Sequence, residues 1–267
     1  MANNEYSYVT VLSNAAYIPG VIALINSLKN VKSQYPLTIL VPDDSTDWYN
    51  SLKELGCQII TRPAIKFHNK NQQEGHYWDH TFFKLAAMSL TEFKKIVLLD
   101  SDMLIMQNID HLFDSPHMTA VMDRRPFSPN YALNLNSGLI VIEPNSNDYL
   151  KLINLIELSI TSRTADGLAC GDQDVFHSYV NDWADKKDLH LPETYNVFFG
   201  HISRLLSQGY FKSKKDIYVV HFIGRQKPWQ YHTFKTKLSY FWQGLKNRDM
   251  STYRILEKYV RLTKKLK

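Results

Sequence analysis

Two aspartates interrupt an apolar run near the middle of the chain. In KKIVLLDSDMLIM, residues 94–106, Asp100 and Asp102 are separated only by Ser101. Residues i and i+2 of a strand point to the same side, so the two carboxylates can converge on one point. Two carboxylates so close together repel each other unless a cation lies between them. Their hard oxygen atoms are suitable ligands for Mg²⁺ or Mn²⁺. An Asp-x-Asp triplet is a weak signal by itself, and an Asp-rich turn that caps the next segment is the alternative.

A second apolar segment, IYVVHFIGRQKPW, also carries polar groups at its end. His221 lies in it, and Gly224, Arg225 and Lys227 follow. An imidazole added to two carboxylates shifts the preference from Mg²⁺ toward Mn²⁺. Glycine lets backbone amides approach an anion, and lysine supplies a positive charge for a phosphate. A lone histidine after a strand is more often structural, but the combination predicts a binding site for a metal-bound diphosphate.

The elements that must position these residues alternate between strands and helices. The patterns predict strands at residues 7–13, 37–41, 57–61, 95–99, 118–123, 138–144 and 216–222. They predict helices from Pro19, at 45–56, 81–90 and 147–160, near Asp172, and at 233–247 and 250–266, with a loop over 68–80. Such alternation indicates right-handed βαβ units and a mostly parallel sheet, in which ligands bind beyond the carboxyl ends of the strands. Residues 100–102 occupy that position.

The composition is that of an ordinary globular protein. Of the 267 residues, 44% are hydrophobic and 21% are charged, which is enough apolar content for a core. The sequence shows neither an apolar run long enough to cross a membrane nor an N-terminal signal peptide. Cys57 and Cys170 are the two cysteines, so we expect no disulfide framework and a cytoplasmic location.

Positive charge is concentrated at the C-terminal end of the chain. The formal net charge is +5, and residues 231–267 hold ten Lys or Arg against two acidic residues. FKTKLSYFWQGLKNRDM mixes aromatic residues with lysines, which is typical of an interfacial helix, so we expect peripheral contact with the inner face of an anionic membrane. A solvated helix face is the alternative. Nucleic acid is not an expected partner because no recognition motif accompanies the charge, and a homodimer is left open.

Four ordered segments together resemble the glycogenin-like branch of the family 8 retaining glycosyltransferases: VLLDSDMLIMQNIDHLF, LNSGLIVIEP, GDQDVF and VVHFIGRQKPW. The first sixty residues, notably YVTVLSNAAYIPGVIALINSLKNVKSQYPL, resemble the plant galactinol synthases of the same family. The resemblance covers roughly residues 7–231. It implies the GT-A fold, an α/β nucleotide-binding fold with a mostly parallel mixed sheet flanked by helices. We expect this domain over residues 1–231, followed by a basic, amphipathic helical tail over 232–267.

The resemblance also implies the ligands and the residues that bind them. It assigns a metal ion, Mn²⁺ with Mg²⁺ as the alternative, to Asp100, Asp102 and His221. It assigns the UDP-sugar to Val11, Asn14, Tyr17, Lys84, Ser101, Asp123, Asn136, Ser137, Gly224 and Lys227. It assigns catalysis to Asp172, Gln173 and Lys84. From the residues alone, a packing aromatic is the favoured interpretation of Tyr17, and a snorkelling side chain that of Lys84. Helix capping and a catalytic role are equally favoured for Asp172.

The implied reaction is transfer of glucose or galactose from UDP, with retention of configuration, to a glycan, lipid-linked or small polyol acceptor. Glycogenin glucosylates its own tyrosine a few residues after a Tyr-Asn pair, but the corresponding position after Tyr195 and Asn196 is Ser203. Ala169 stands where glycogenin has an aspartate near the acceptor, which predicts a different acceptor. A glycogenin-like self-glucosylating primer and a non-catalytic UDP-sugar-binding module are the alternatives.

Overall fold

The structure, a computed structural model, describes residues 5–44, 50–54, 56–70, 77–123, 134–224, 227–230, 238, 241–242, 245 and 250–264. The chain forms two compact units. Unit 1 comprises Met1–Ser13, Tyr35–Leu99 and His111–Pro192. Unit 2 comprises Asn14–Gln34, Asp100–Asp110 and Glu193–Lys267.

The described strands form one sheet in each unit. They are β1 (Tyr6–Val11), β2 (Leu37–Pro42), β3 (Gln58–Arg62), β4 (Lys95–Leu99), β5 (Met103–Ile105), β6 (Ala120–Met122), β7 (Leu135–Ile142), β8 (His190–Leu191), β9 (Val197–Phe198) and β10 (Val219–His221). The sheet of unit 1 has the strand order β3-β2-β1-β4-β7-β6-β8, and that of unit 2 has the order β5-β10-β9.

The described helices are of two kinds. The α-helices are α1 (Ile18–Asn30), α2 (Asn50–Lys53), α3 (Ser146–Ala165), α4 (Asp172–Tyr179), α5 (Ile202–Ser207) and α6 (Ser251–Leu262). The 3-10 helices are Ala15–Tyr17, Tyr77–Ser89, Asp110–Asp114, Trp183–Asp185, Lys187–Leu189, Glu193–Tyr195, Phe199–His201, Lys214–Asp216 and Pro228–Gln230. Pro19 lies in the first turn of α1, where its missing N–H leaves no bond unmade.

The sheet of unit 1 is mixed and mostly parallel, as the sequence predicts. Strands β3, β2, β1 and β4 run parallel, β7 is antiparallel to both β4 and β6, and β8 is parallel to β6. The apolar residues of β4 are buried, and Leu99 pairs with Thr10 of β1. Strands β1 and β4 therefore end at the same edge of the sheet.

Each unit has its own apolar core. In unit 1 the core includes Val9, Leu98 and Ile140 from the sheet and Ile156 and Phe176 from α3 and α4. The core of unit 2 takes residues from α1, β5, β10 and α6, among them Ala23, Leu104, Val220, Ile255 and Tyr259. Helix α6 therefore uses its apolar face inside unit 2, although the sequence places it in the basic tail. The boundary at residue 231 stays a prediction.

The strand periodicity used to bring Asp100 and Asp102 together is wrong. The chain leaves β4 at Leu99 and forms a turn, in which the N–H of Met103 donates to the carbonyl oxygen of Asp100 at 3.3 Å. Strand β5 then begins at Met103 and belongs to the other sheet. A turn rather than one continuous strand therefore positions the two carboxylates.

The helix predicted at 81–90 is a 3-10 helix over Tyr77–Ser89, so it also includes the end of the loop predicted at 68–80. Phe82, Leu85 and Met88 are fully buried at a spacing of three residues. This spacing matches the three residues per turn of a 3-10 helix, which places all three on one row facing the core.

The remaining elements differ from the predictions mainly at their ends. The strand predicted at 216–222 is shorter in the structure, where β10 spans Val219–His221. Asp216 belongs instead to a 3-10 helix over Lys214–Asp216, which Ser213 caps. The short strands β5, β8 and β9 were not predicted, because their sequences show no strand pattern. Of the helix predicted at 45–56 the structure gives Asn50–Lys53, and residues 45–49 lie outside the described part. Most of the helix predicted at 233–247 also lies outside the described residues.

Within the described residues, no helix is long and apolar enough to cross a membrane.

Candidate active site

Unit 2 brings together the three side chains predicted to bind a metal ion, here called the metal-ligand cluster: Asp100, Asp102 and His221. His221 ends β10 and pairs with Met103 of the antiparallel strand β5, which places it beside the turn that carries the aspartates. Its Nε2 atom lies 3.1 Å from Oδ1 of Asp102 and 3.5 Å from Oδ2 of Asp100. One ligand atom from each residue lies within 4.8 Å of the others. Two carboxylates and an imidazole fit a hard or borderline divalent cation such as Mn²⁺ or Mg²⁺.

Asn196 orients the imidazole of the metal-ligand cluster. Its Oδ1 atom lies 2.9 Å from Nδ1 of His221, and both side chains are buried. With Nδ1 donating to this amide oxygen, Nε2 would be the atom of His221 available to a metal ion. The sequence analysis considered Asn196 only as part of the Tyr-Asn pair. No sequence signal assigned it this contact, which arises because β9 pairs with β10.

Lys227 places a buried positive charge against the metal-ligand cluster. The side chain is 3% exposed, and Nζ donates to Oδ2 of Asp102 at 2.5 Å and to the carbonyl oxygen of Phe222 at 3.1 Å. Burial by itself raises the pKa of Asp102, but the neighbouring His221 and Lys227 outweigh it and hold that pKa well below its usual range. The carboxylate of Asp102 is therefore stabilised in its charged, metal-binding form.

The residues predicted to bind the nucleotide lie around the start of α1. Oδ1 of Asn14 accepts from the N–H of Ala16 at 2.8 Å and caps the 3-10 helix that holds Tyr17. The ring of Tyr17 meets Trp229 edge-on, with 5.8 Å between centroids, and Nζ of Lys227 lies 5.6 Å from the Tyr17 centroid. Tyr17 therefore has packing contacts and also lies close to the predicted phosphate-binding lysine.

Two glycines shape the backbone of unit 2. A Cβ at Gly20 of α1 would lie 2.5 Å from the carbonyl oxygen of Ser101, so glycine lets α1 approach the turn that carries the aspartates. Sequence reasoning did not identify Gly20. Gly224 has a φ of +100°, a backbone conformation that favours glycine, and its role in an approach to an anion stays a prediction. Arg225 lies outside the described residues.

Unit 1 joins five other predicted residues in one polar network, here called the lysine–aspartate network: Lys84, Asp123, Ser137, Asp172 and Gln173. Nζ of Lys84 lies 2.8 Å from Oδ2 of Asp172, and 3.4 Å from both Oγ and the carbonyl oxygen of Ser137. Oε1 of Gln173 accepts from the N–H of Ser137 at 3.1 Å. Nε2 of Gln173 donates to Oδ2 of Asp123 at 2.9 Å. The network thus links the long 3-10 helix, the end of β6, β7 and the start of α4.

Two further predicted residues and one unpredicted residue lie near the same elements. Asn136 is on β7, where its Oδ1 accepts from the N–H of Gly138 at 3.0 Å. Val11 ends β1 and is half-buried. Thr81, which the sequence analysis did not consider, accepts from the N–H of Asp172 through Oγ1 at 3.1 Å. This bond satisfies a backbone donor at the start of α4 and fixes the position of Asp172.

The family described as "Glycosyl transferase family 8" matches residues 8–233. The chain belongs to glycosyltransferase family 8. It is 30% identical over 247 residues to glycogenin-1 of Oryctolagus cuniculus, an alignment covering 87% of this chain and 68% of that protein. It is 28% identical over 250 residues to galactinol synthase 1 of Solanum lycopersicum, covering 84% of this chain and 74% of that protein. The chain spans 63% of the length of Homo sapiens glycogenin-1.

A solved structure supports the fold. The galactosyltransferase LgtC, in complex with donor and acceptor sugar analogs, aligns with a TM-score of 0.60 at 15% identity and covers 98% of each chain. The sequence-based predictions of the family, of the GT-A fold and of a UDP-sugar-dependent glycosyltransferase are confirmed. Asp100, Asp102 and His221 together form a group that could hold a metal ion.

Proposed function

We propose that this chain is a Mn²⁺-dependent retaining hexosyltransferase, which moves glucose or galactose from a UDP-sugar to a glycan, lipid-linked or small polyol acceptor. The observation that carries the proposal is the convergence of Asp100, Asp102 and His221 with the buried ammonium of Lys227. A departing nucleoside diphosphate gains negative charge, and a cation site beside a buried lysine is suited to stabilise it.

One set of predicted residues binds the diphosphate and the uridine in this proposal. Asp100, Asp102 and His221 would hold the metal ion, which when bound supplies positive charge to the leaving diphosphate. Lys227 donates to a phosphate oxygen, and the backbone at Gly224 approaches the same group. The other predicted nucleotide ligands of this set are Asn14, Tyr17 and Ser101, with the ring of Tyr17 stacking on the uracil.

A second set of predicted residues binds and activates the sugar. Asp123, Asn136 and Ser137 accept from or donate to its hydroxyl groups, and Val11 completes the donor contacts. Asp172 and Gln173 place a carboxylate and an amide dipole beside the anomeric carbon, where positive charge develops. Lys84 holds the Asp172 carboxylate in place through their 2.8 Å contact and reaches the donor.

The reaction breaks the bond between the anomeric carbon and the diphosphate oxygen, and the electron pair leaves with the diphosphate. The acceptor hydroxyl oxygen forms the new bond to the anomeric carbon, and its proton passes to the leaving diphosphate. Retention of configuration follows either from front-face attack by the acceptor or from a short-lived covalent adduct.

The C-terminal segment supports a peripheral membrane contact as part of the same proposal. Leu238, Trp242 and Leu245 are helical and exposed, and their spacing of four and three residues places them on one face together with the half-buried Phe241. The surrounding sequence supplies Lys235, Lys237, Lys246 and Arg248. An exposed apolar stripe flanked by basic residues is suited to the interface of an anionic membrane.

The membrane contact is tested with point substitutions, because removal of residues 232–267 would also remove α6 from the core of unit 2. Trp242→Gln combined with Leu245→Gln is expected to lower co-sedimentation with phosphatidylglycerol vesicles about tenfold while leaving donor turnover unchanged. Leu158→Gln, an exposed apolar residue on α3, is the matched control. Equal sedimentation of all three proteins would remove the membrane contact from the proposal.

Donor turnover tests the hexosyltransferase itself. The purified chain is incubated with Mn²⁺ and a panel of UDP-sugars, and UDP release is measured with and without candidate acceptors, which include myo-inositol and simple glycosides. Release from UDP-glucose or UDP-galactose supports the proposal and identifies the sugar. Metal-dependent UDP binding without release from any donor would favour the non-catalytic binding module.

Intact-mass measurement separates transfer to an external acceptor from self-glucosylation. Tyr195 is a poor candidate for self-modification, because it is buried and stacked on Tyr218 with 4.4 Å between ring centroids. Since the position corresponding to glycogenin's own acceptor tyrosine is Ser203, which has no phenol, we expect the mass of the chain to stay unchanged after incubation with UDP-glucose. A gain of hexose units would instead support the glycogenin-like primer.

A further inference from the structure

Trp78 is a large aromatic residue at the surface of unit 1. Its side chain is 40% exposed, although the 3-10 helix that carries it is otherwise directed into the core through Phe82, Leu85 and Met88. Atoms Cε3 and Cζ3 of the indole lie 2.9 Å and 3.2 Å from where a Cβ on Gly171 would stand. The ring therefore packs against the backbone of Gly171, and any larger residue there would displace it.

Trp78 is also connected to Asp172, the carboxylate of the lysine–aspartate network. Gly171 precedes Asp172 directly, and the two residues form the start of α4. Oγ1 of Thr81 donates to the carbonyl oxygen of Trp78 at 2.8 Å and accepts from the N–H of Asp172 at 3.1 Å. The hydroxyl of Thr81 thus links the backbone of Trp78 to the backbone of Asp172. The indole is therefore held beside Asp172, the residue proposed to face the anomeric carbon.

A half-exposed indole held in this way is suited to bind a sugar ring. A pyranose presents a face of C–H bonds, which packs on an aromatic face, while its hydroxyl groups stay hydrated at the edges. The donor sugar is already provided with hydrogen-bonding partners by Asp123, Ser137 and Gln173. The acceptor must also come close to the anomeric carbon, and no residue of the proposed function has yet been assigned to it.

We propose that Trp78 is a stacking platform for the acceptor, and that the acceptor is therefore a saccharide that presents a pyranose ring to this indole. The inference rests on the proposed function, because it takes Asp172 as the residue beside the reacting carbon. Gly171 and Thr81 are the positioning residues that hold the platform in place.

Kinetics of transfer and of donor hydrolysis distinguish an acceptor platform from a structural tryptophan. Trp78→Ala is expected to raise the acceptor KM about tenfold, the loss of one aromatic stacking contact. UDP release in the absence of acceptor should stay within about twofold of wild type, since the donor site is unchanged. Trp78→Phe should recover most of the loss, because it keeps an aromatic face. Tyr210→Ala is the matched control, an aromatic side chain of similar exposure, 37%, in unit 2.

A binding measurement on the wild-type sequence makes the test independent of the stability of any variant. The chain contains five tryptophans, so labelling with 5-fluorotryptophan gives few fluorine resonances, and Trp78→Phe assigns that of Trp78. Maltose, cellobiose and lactose are added in the presence of Mn²⁺ and UDP. A shift of the Trp78 resonance with at least one of these sugars supports the platform.

The outcomes separate this inference from the proposed function. Normal donor turnover combined with an unshifted Trp78 resonance and a wild-type acceptor KM in Trp78→Ala would overturn the acceptor platform alone. Absence of UDP release and of metal-dependent UDP binding in the wild-type chain would overturn the proposed function, and the platform with it.

Discussion

The metal-ligand cluster of unit 2 and the lysine–aspartate network of unit 1 are both polar and at least partly buried, and each contains two carboxylates, but the two groups differ in how those carboxylates are partnered. The cluster holds two carboxylates and an imidazole, with the ammonium of Lys227 against them. In the network, Asp172 is paired with Lys84, which also contacts the hydroxyl of Ser137, whereas Asp123 accepts from the neutral amide of Gln173.

We propose that this difference reflects a division of chemical work. Two carboxylates with an imidazole are suited to a divalent metal ion, and a neighbouring ammonium is suited to a diphosphate. A hydroxyl and a carboxamide beside the carboxylates of Asp123 and Asp172 are suited to recognise sugar hydroxyl groups and to stabilise a developing positive centre. The following substitutions test whether the two groups act separately in this way.

Asp102→Asn should have the largest effect on turnover. The substitution removes a metal ligand and leaves Lys227 buried without its counter-charge, so we expect UDP release to fall about a thousandfold or more. We expect Mn²⁺ with UDP to raise the melting temperature of the wild type, and this rise should be absent in Asp102→Asn. Asp114→Asn, at an exposed carboxylate of unit 1, is the control. A variant that kept wild-type turnover would show that the cluster does not serve the reaction.

Asp172→Asn should lower kcat about a hundredfold, because the amide no longer stabilises positive charge at the anomeric carbon. Unlike Asp102→Asn, it should leave the affinity for Mn²⁺ and UDP unchanged, as measured by isothermal titration calorimetry. The contrast between the two variants is the sharpest test of the division. Loss of metal affinity in Asp172→Asn would show that the two groups are not separate in function.

Asn196→Leu tests the residue that orients His221. The substitution keeps the approximate volume but removes the acceptor at Nδ1, so we expect the affinity for Mn²⁺ to fall about ten- to a hundredfold. Asn196→Asp keeps an acceptor oxygen at that position and should restore part of the affinity. Equal Mn²⁺ affinity in wild type and Asn196→Leu would mean that the hydrogen bond does not position the ligand.

The smallest effects are expected from the glycines that pack beside each group. In Gly20→Ala the new methyl group meets the backbone oxygen of Ser101 at 2.5 Å, which lowers the free energy of unfolding by about 1–3 kcal/mol. In Gly171→Ala it meets the Trp78 side chain at 2.9 Å, and a partly exposed side chain can move, so the loss should be smaller. Urea denaturation measures both, with Gly200→Ala as a control whose Cβ meets nothing within 4 Å. The reverse order would show that the Trp78 contact is the more rigid one.

The sequence predicted much of the fold and many of the site residues. The apolar run before Asp100, the segment around His221 and Lys227, and the four family segments were sufficient for the fold, the family and the metal-ligand cluster. The main strands and helices followed from local periodicity, which is strong where an element is buried on one face. The short strands β5, β8 and β9, of two or three residues, did not, because so few residues carry no period.

The tertiary structure alone decided how these residues contact one another. Asn196 meets His221 across 25 residues, and Lys227 meets Asp102 across 125. Lys84 reaches Asp172 and Gly20 lies against Ser101 in the same non-local way. Local preferences depend on near neighbours along the chain, whereas these contacts arise only when distant elements pack. The sequence by itself therefore determined which chemical groups are present and which elements carry them, and the packing of those elements decided which groups meet.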